Sequence, residues 1–293
     1  MMRGKENYVV AVRKPNKEIV IEERAVPSWS RRYPILKWPL FRGVIAMAES
    51  MTLGVRAISF SAKESVDEEV EITSKEMGIS MVLGFSLAIS LFFIFPVWLT
   101  RTVTAGISNS SGVSSWGETV GLNLIEGGIR LAVFFAYLFL VSRLKDIQRV
   151  FEYHGAEHKT IHAYEHGVEL EPSKVSTFST KHLRCGTSFL LIVMVVSIIV
   201  FIFLGRPPSI FTRIGLRLIV LPLVAGISYE IIKYAGRHED SKLIGIIMGP
   251  GLFLQRLTTR EPSTDQIEVA ICSLKKVLLL EENKSGELVE SKV

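Results

Sequence analysis

Two stretches of this chain run without charge for longer than a soluble core helix needs. Met77 to Leu99 covers 23 residues and Thr187 to Leu204 covers 18, neither holding an Asp, Glu, Lys or Arg. A hydrocarbon layer about 30 Å thick takes about 20 helical residues, and within it only a helix or a closed barrel satisfies its own backbone. Each run therefore predicts a membrane-spanning helix. Val120 to Val141 and Ile214 to Ile232 are similar in length but carry Glu126 and Arg130, and Arg217 and Glu230. They are expected to be spans too, with functional or structural polar residues. Glu126 and Arg130 stand one helical turn apart and should neutralise each other. The expected fold is mainly α: a polytopic membrane protein of four transmembrane helices.

The distribution of cations sets the expected topology. Lys plus Arg number 13 in residues 1–76, 1 in 100–119, 7 in 142–186, 1 in 205–212 and 8 in 235–293. By the positive-inside rule both termini and the central loop face the cytoplasm, and the two poor loops face outward. The net charge of +5 is thereby accounted for by topology, and no nucleic-acid partner is needed; the lipid bilayer is the expected one. Cys185 and Cys272 fall on the reducing side and are expected as thiols. The polar, charged start shows no cleavable signal peptide, so the first span would act as the insertion signal. The expected segments are a cytoplasmic part at 1–76, two spans within 77–141, a cytoplasmic loop at 142–186, two spans within 187–234 and a cytoplasmic tail at 235–293.

Four of the six histidines lie in the central loop, at 154, 158, 162 and 166. Residues four apart on a helix project about 40° from one another, so these form a slowly turning ladder. His154-x-x-Glu157-His158 reads as the inverted zinc-protease pattern, in which two histidines hold the metal and the glutamate activates water. A five-residue pattern also fits a solvated helix whose histidines act singly. No helix breaker separates Arg130 from Tyr153, so the second span is expected to run straight into the ladder, weakened only at Gly155, with Gly167 and Pro172 ending it. His182 and Cys185 stand just before the third span. Topology brings His154, Glu157, His158, His182, Cys185, Glu230 and His238 to one level at the inner membrane face.

Elsewhere the signals are structural. Tyr8–Val12 and Glu18–Ile21 read as a short N-terminal β-hairpin, which must pack on something to persist. Residues 27–39, with Trp29, Trp38, Arg31 and Arg32, suit the headgroup zone. The run from Phe41 to Ile58 is an amphipathic helix, lying on the membrane, capping the inner site or packing on the spans. Residues 61–74 and 100–117 read as loops. The stretch from Gly245 to Leu257 is too short to span and is expected to be interfacial or re-entrant. Ser263-x-x-Gln266 reads as a capping box ahead of a helix with one apolar face, and the charged tail from Glu281 as disordered.

Met2-Arg3-Gly4, Glu152 to Lys159, Arg184 to Phe189, Ala225 to Glu230 and Leu257 to Pro262 together resemble the signatures of the YqhQ-like bacterial membrane family. The resemblance covers nearly the whole chain, and it implies a predicted metal-dependent membrane enzyme. The chain departs from that pattern in starting without the family's glycine-rich lead-in, and in having Leu183 where proline is common. If the lead-in contributes to the pocket, the chain as written would lack that part.

These readings combine into one functional expectation. A divalent metal, zinc first, is held by His154 and His158 with Glu230 as third ligand, and Glu157 serves as general base. His162, His182 and His238 are alternates or supporting groups. The reaction would be hydrolysis of a peptide, lipid or other ester or amide reached from the membrane surface. A non-catalytic assembly or scaffold factor with a structural metal site is the first rival. An ion or metal transporter is the second, and needs polar groups through the bilayer that only Glu126 and Arg130 offer.

Overall fold

The computed structural model describes residues 1–26, 38, 41–65, 73–104, 115–182, 185–207, 209–238 and 241–290. Trp29, Arg31, Arg32, Leu183, Arg184 and residues 66–72 and 105–114 of the two expected loops lie outside them; residues 61–64 and 100–104 of those loops are helical instead.

A small antiparallel sheet opens the chain, in the order β1 (Met2–Arg3), β2 (Asn7–Arg13), β3 (Ile19–Ala25). β2 and β3 form the expected hairpin, its turn closed by Lys17 N–H on Lys14 O at 2.9 Å. β1 is an addition, too short to carry a periodic signal. Because side chains alternate across a strand, β2 serves two neighbours. Tyr8, Val10 and Val12 pack with Leu53 of helix α1 (Phe41–Glu64), while Val9 packs with Met2, Ile267, Ile271 and Leu274 on the other side.

The helices that bear charge pack beneath that sheet. α5 (Lys145–Glu165), the short α6 (Pro172–Val175) and α10 (Thr264–Glu290) share one apolar core, in which Ala156, Ala163 and Val175 meet Ile267, Ala270 and Val277. The Ser263/Gln266 capping box forms as expected: Ser263 N–H donates to Gln266 Oε1 at 2.9 Å and Gln266 N–H to Ser263 Oγ at 3.4 Å. The tail from Glu281, expected disordered, is instead helical as far as Glu290, and at its start Glu281 Oε1 accepts from Lys5 N–H at 2.7 Å.

Among the described residues five helical stretches are long and apolar enough to cross a membrane: α1; the continuous run 75–104; α4 (Trp116–Val141); α7 (Gly186–Phe203); and α8 (Ile210–Ala235). The run 75–104 comprises most of α2 (Ser74–Ile89), a π-helical turn at Ser90–Ile94 and α3 (Phe95–Thr104). Few residues of these stretches are buried inside the protein, so their apolar surface suits lipid rather than water. Phe134 and Leu191 hold α4 to α7, and Val196, Phe201 and Val224 hold α7 to α8. α1 crosses α8 closely, since a Cβ on Gly43 would stand 3.0 Å from Gly226 Cα. The stretch expected to be interfacial is α9 (Lys242–Thr258), which packs on α7.

Two expectations change. The second span does not run unbroken into the histidine helix. α4 stops at Val141, and Leu144 is extended (φ −73°, ψ 129°) before α5 begins. No Gly or Pro marks that break; Arg260 Nη2–H donates to Ser142 O at 3.1 Å and holds a carbonyl that a continuous helix would use itself. Glu126 and Arg130 do pair, at 3.0 Å, but not alone. Arg217 from α8 binds both Glu126 oxygens and Asn123 Oδ1, and Arg130 Nε–H donates to Phe92 O inside the π turn at 3.0 Å.

Candidate metal centre

Cys185 sits at the N-cap of α7, where the apolar helix emerges from the extramembrane layer. His154 and His158 present one face of α5 to it. Donor atoms of His154, His158 and Cys185 all lie within 4.8 Å of one another, and theirs is the one such cluster among the described residues. His154 Nε2 is 3.2 Å from Cys185 Sγ.

Both imidazoles are aimed from behind. His154 Nδ1 is 2.8 Å from Thr258 O, and His158 Nδ1 is 2.5 Å from Thr180 O. A carbonyl can only accept, so each Nδ1 carries the proton and each Nε2 lone pair is left for the site. This is the orienting arrangement that metal-bound histidines ordinarily have. The chain segments that supply those carbonyls are themselves pinned. Arg260 N–H donates to Phe151 O at 3.0 Å, laying residues 258–260 along α5 so tightly that a Cβ on Gly155 would stand 2.1 Å from Arg260 O. Glycine alone permits that approach. On the other side the fully buried Gln255 grips His182 twice, accepting from its N–H at 2.8 Å and donating to its carbonyl at 2.7 Å. That grip fixes the loop delivering Cys185.

The charges respond to this geometry. Burial pushes the Cys185 thiol up, but hydrogen bonds from His154 and His158, the His154 charge and Thr187 outweigh it and bring it down to about 5. Burial disfavours the His154 imidazolium, yet the bond and charge of Cys185, the Thr258 carbonyl and the Glu157 charge raise it overall. An imidazolium–thiolate pair is the metal-free form such a set adopts.

The other expected site residues lie elsewhere. Glu230, expected as third ligand, is held by the α1 residue Arg42, whose Nε lies 2.5 Å from Oε1 while Nη2 engages Oε2; Cys185 takes the place next to the histidines instead. Glu157 belongs to the rim, half-exposed, with its carboxylate 3.7 Å from the Met1 amino nitrogen. His182 Nε2 is 3.1 Å from Glu165 Oε2, and its ring lies tilted beside those of His162 and His158, with centroids 4.7 Å and 5.8 Å away. Burial, with His182 beside it, lowers the His162 imidazolium from its ordinary value. His238 is exposed, bonding Tyr234 O and stacking on the Tyr234 ring. The signal for Cys185 was its place one residue ahead of an apolar run at the same level as the ladder.

Comparison with known proteins places the chain. The family model for a protein of unknown function, DUF1385, matches residues 38–280. The chain belongs to the DUF1385 family. It is 31% identical over 287 residues to "Uncharacterized protein YqhQ" of Bacillus subtilis (strain 168), covering 96% of this chain and 90% of that one. No solved structure matches it. The DUF1385 match spans every element that builds the centre, from α1 to the apolar face of α10.

Proposed function

We propose that this chain is a metal-dependent hydrolase of the bacterial inner membrane, its ion held by His154, His158 and Cys185 at the cytoplasmic face. The observation that carries the reading is the pair of carbonyls, Thr180 O and Thr258 O, each fixing one histidine so that its free nitrogen turns to the thiol. A mixed nitrogen and sulfur set of three suits zinc, and leaves a fourth position of the kind catalytic sites keep open. Zinc held there would supply a Lewis acid that polarises an ester or amide carbonyl and makes water more acidic. Glu157, on the same helix at the rim, is the group to hold the proton taken from that water. The substrate, a peptide or lipid ester or amide, would come along the membrane surface.

Four spans fit this reading, with α1 lying at the inner face rather than crossing. The support is that Leu53, Ala57 and Phe60, in the second half of α1, pack on the charged hairpin rather than on another span.

Metal analysis of the full-length protein, purified without chelator, tests the reading. About one zinc per chain is expected, lost in His154→Ala, His158→Ala and Cys185→Ala and kept in Glu230→Gln. Absence of metal from the wild type, or its retention in all three variants, would end the proposal. Glu157→Gln should keep the metal yet fail to complement a deletion strain; a scaffold with a structural site would complement. The thiol near 5 favours a second reading, in which Cys185 is a nucleophile and His154 its base. That reading requires a metal-free protein inactivated by alkylation at Cys185.

A further inference from the structure

At the other end of α7, about 27 Å from Cys185 by helical rise, a second polar group has no part in the metal centre. Arg213, on the first turn of α8, is only 8% exposed. Its Nη2–H donates to Pro207 O at 2.9 Å, but its buried Nε–H has no acceptor among the described residues, and neither has the buried Nη1 of Arg206. The charges of Arg206, in the α7–α8 connection, and of Arg101, at the end of α3, act on Arg213. Glu118 is the carboxylate that acts on Arg206. Among the described residues three cations act here against one anion, and two of them carry buried donors without a partner, which an anion would satisfy.

The level of the group narrows its ligand. Trp98, three positions before Arg101, and Trp116, two before Glu118, are both more than half exposed, which is how tryptophan sits at the headgroup boundary. Guanidinium forks match phosphate oxygens in geometry as well as charge.

We propose that Arg101, Arg206 and Arg213 bind a phosphate-bearing anion, presented as the headgroup of an acidic phospholipid, at the end of the bundle remote from the metal centre. The site holds one lipid in place against α3, α7 and α8 and thereby completes the donors that the protein leaves open.

Native mass spectrometry of the full-length protein in detergent tests this, with phosphatidylglycerol or phosphatidylcholine added. Phosphatidylglycerol should be retained at about one-tenth the concentration that phosphatidylcholine needs, and Arg206→Gln or Arg213→Gln should each abolish that preference. Arg206→Lys should restore part of it. Arg206 lies in a connection and is half-buried, so Arg206→Gln, checked for a monodisperse fold, carries the test if Arg213→Gln does not fold. Excess inorganic phosphate that displaces the lipid, and raises the melting temperature of the wild type but not of Arg206→Gln, would support the anion site and show its occupant to be free phosphate. Equal retention of the two lipids with no effect of phosphate, or an unchanged preference in folded Arg206→Gln, overturns the proposal.

Discussion

Replacing Gly155 by alanine would probe the packing that aims His154. The added Cβ would stand 2.1 Å from Arg260 O, where ordinary contact begins at 3.4 Å, so the carbonyl must retreat by more than an ångström. The obstacle is backbone and cannot swing away. Retreat breaks Arg260 N–H to Phe151 O and draws Thr258 O away from His154 Nδ1. Overpacking costs about 1–3 kcal/mol, two lost hydrogen bonds add about 0.5–1.5 kcal/mol each, and alanine's better helix propensity returns about 1 kcal/mol. The net loss is about 3 kcal/mol. Loss of the orienting carbonyl should also weaken zinc about 10- to 100-fold. Thermal unfolding in detergent and competition with a chromophoric chelator measure the two effects. Gly54→Ala is the control, because a Cβ there meets nothing within 4 Å and should be neutral or mildly stabilising. Gly155→Ala with wild-type melting and wild-type zinc affinity would refute both the close approach and the role given to Thr258.

Two further outcomes follow from the charges. After metal removal, Cys185 should react with iodoacetamide at a rate that stays flat as pH falls from 9 to 6 and drops only near 5, since its depressed thiol keeps the thiolate across that window; His154→Ala should return the midpoint toward the ordinary value of 9.0, and a wild-type midpoint already there contradicts the pairing. In the bundle, Glu126→Gln leaves Arg130 and Arg217 buried without a counter-ion and should cost about 3–5 kcal/mol, whereas Arg130→Met keeps the Glu126–Arg217 pair and should cost less. Melting temperatures by fluorescence-detected size exclusion give the order, and its reversal would be inconsistent with Glu126 as the shared anchor.

The two uncharged spans could be read from sequence because lipid makes one demand, a long uncharged helix, and the runs at 77–99 and 187–204 meet it without help from distant residues. The hairpin and the Ser263 cap were legible for a similar reason, each being closed by residues within a few positions. The histidine ladder was visible as spacing, and Cys185 as one of several groups at its level, but not as the third companion. Cys185 reaches His154 only because Gln255, far along the chain, grips His182 and because the loop turns back at Thr180. Glu230 looked available until Arg42, 188 positions earlier, took it. The break after Val141 was equally hidden, as its cause is a side chain 118 positions away rather than a local breaker.

The π turn at Ser90–Ile94 inserts one residue more than the helix on either side would use, with Phe95 N–H reaching back five positions to Ser90 O. Each residue advances an α-helix by about 100°, so the surface of α3 is rotated out of phase with that of α2. A lipid-facing stripe traced upward through Val82 and Phe85 would therefore be misplaced above Ile94. Deleting one residue in that turn would swing Trp98 and Arg101 away from the positions they now occupy, while leaving the length and greasiness of the run almost unchanged.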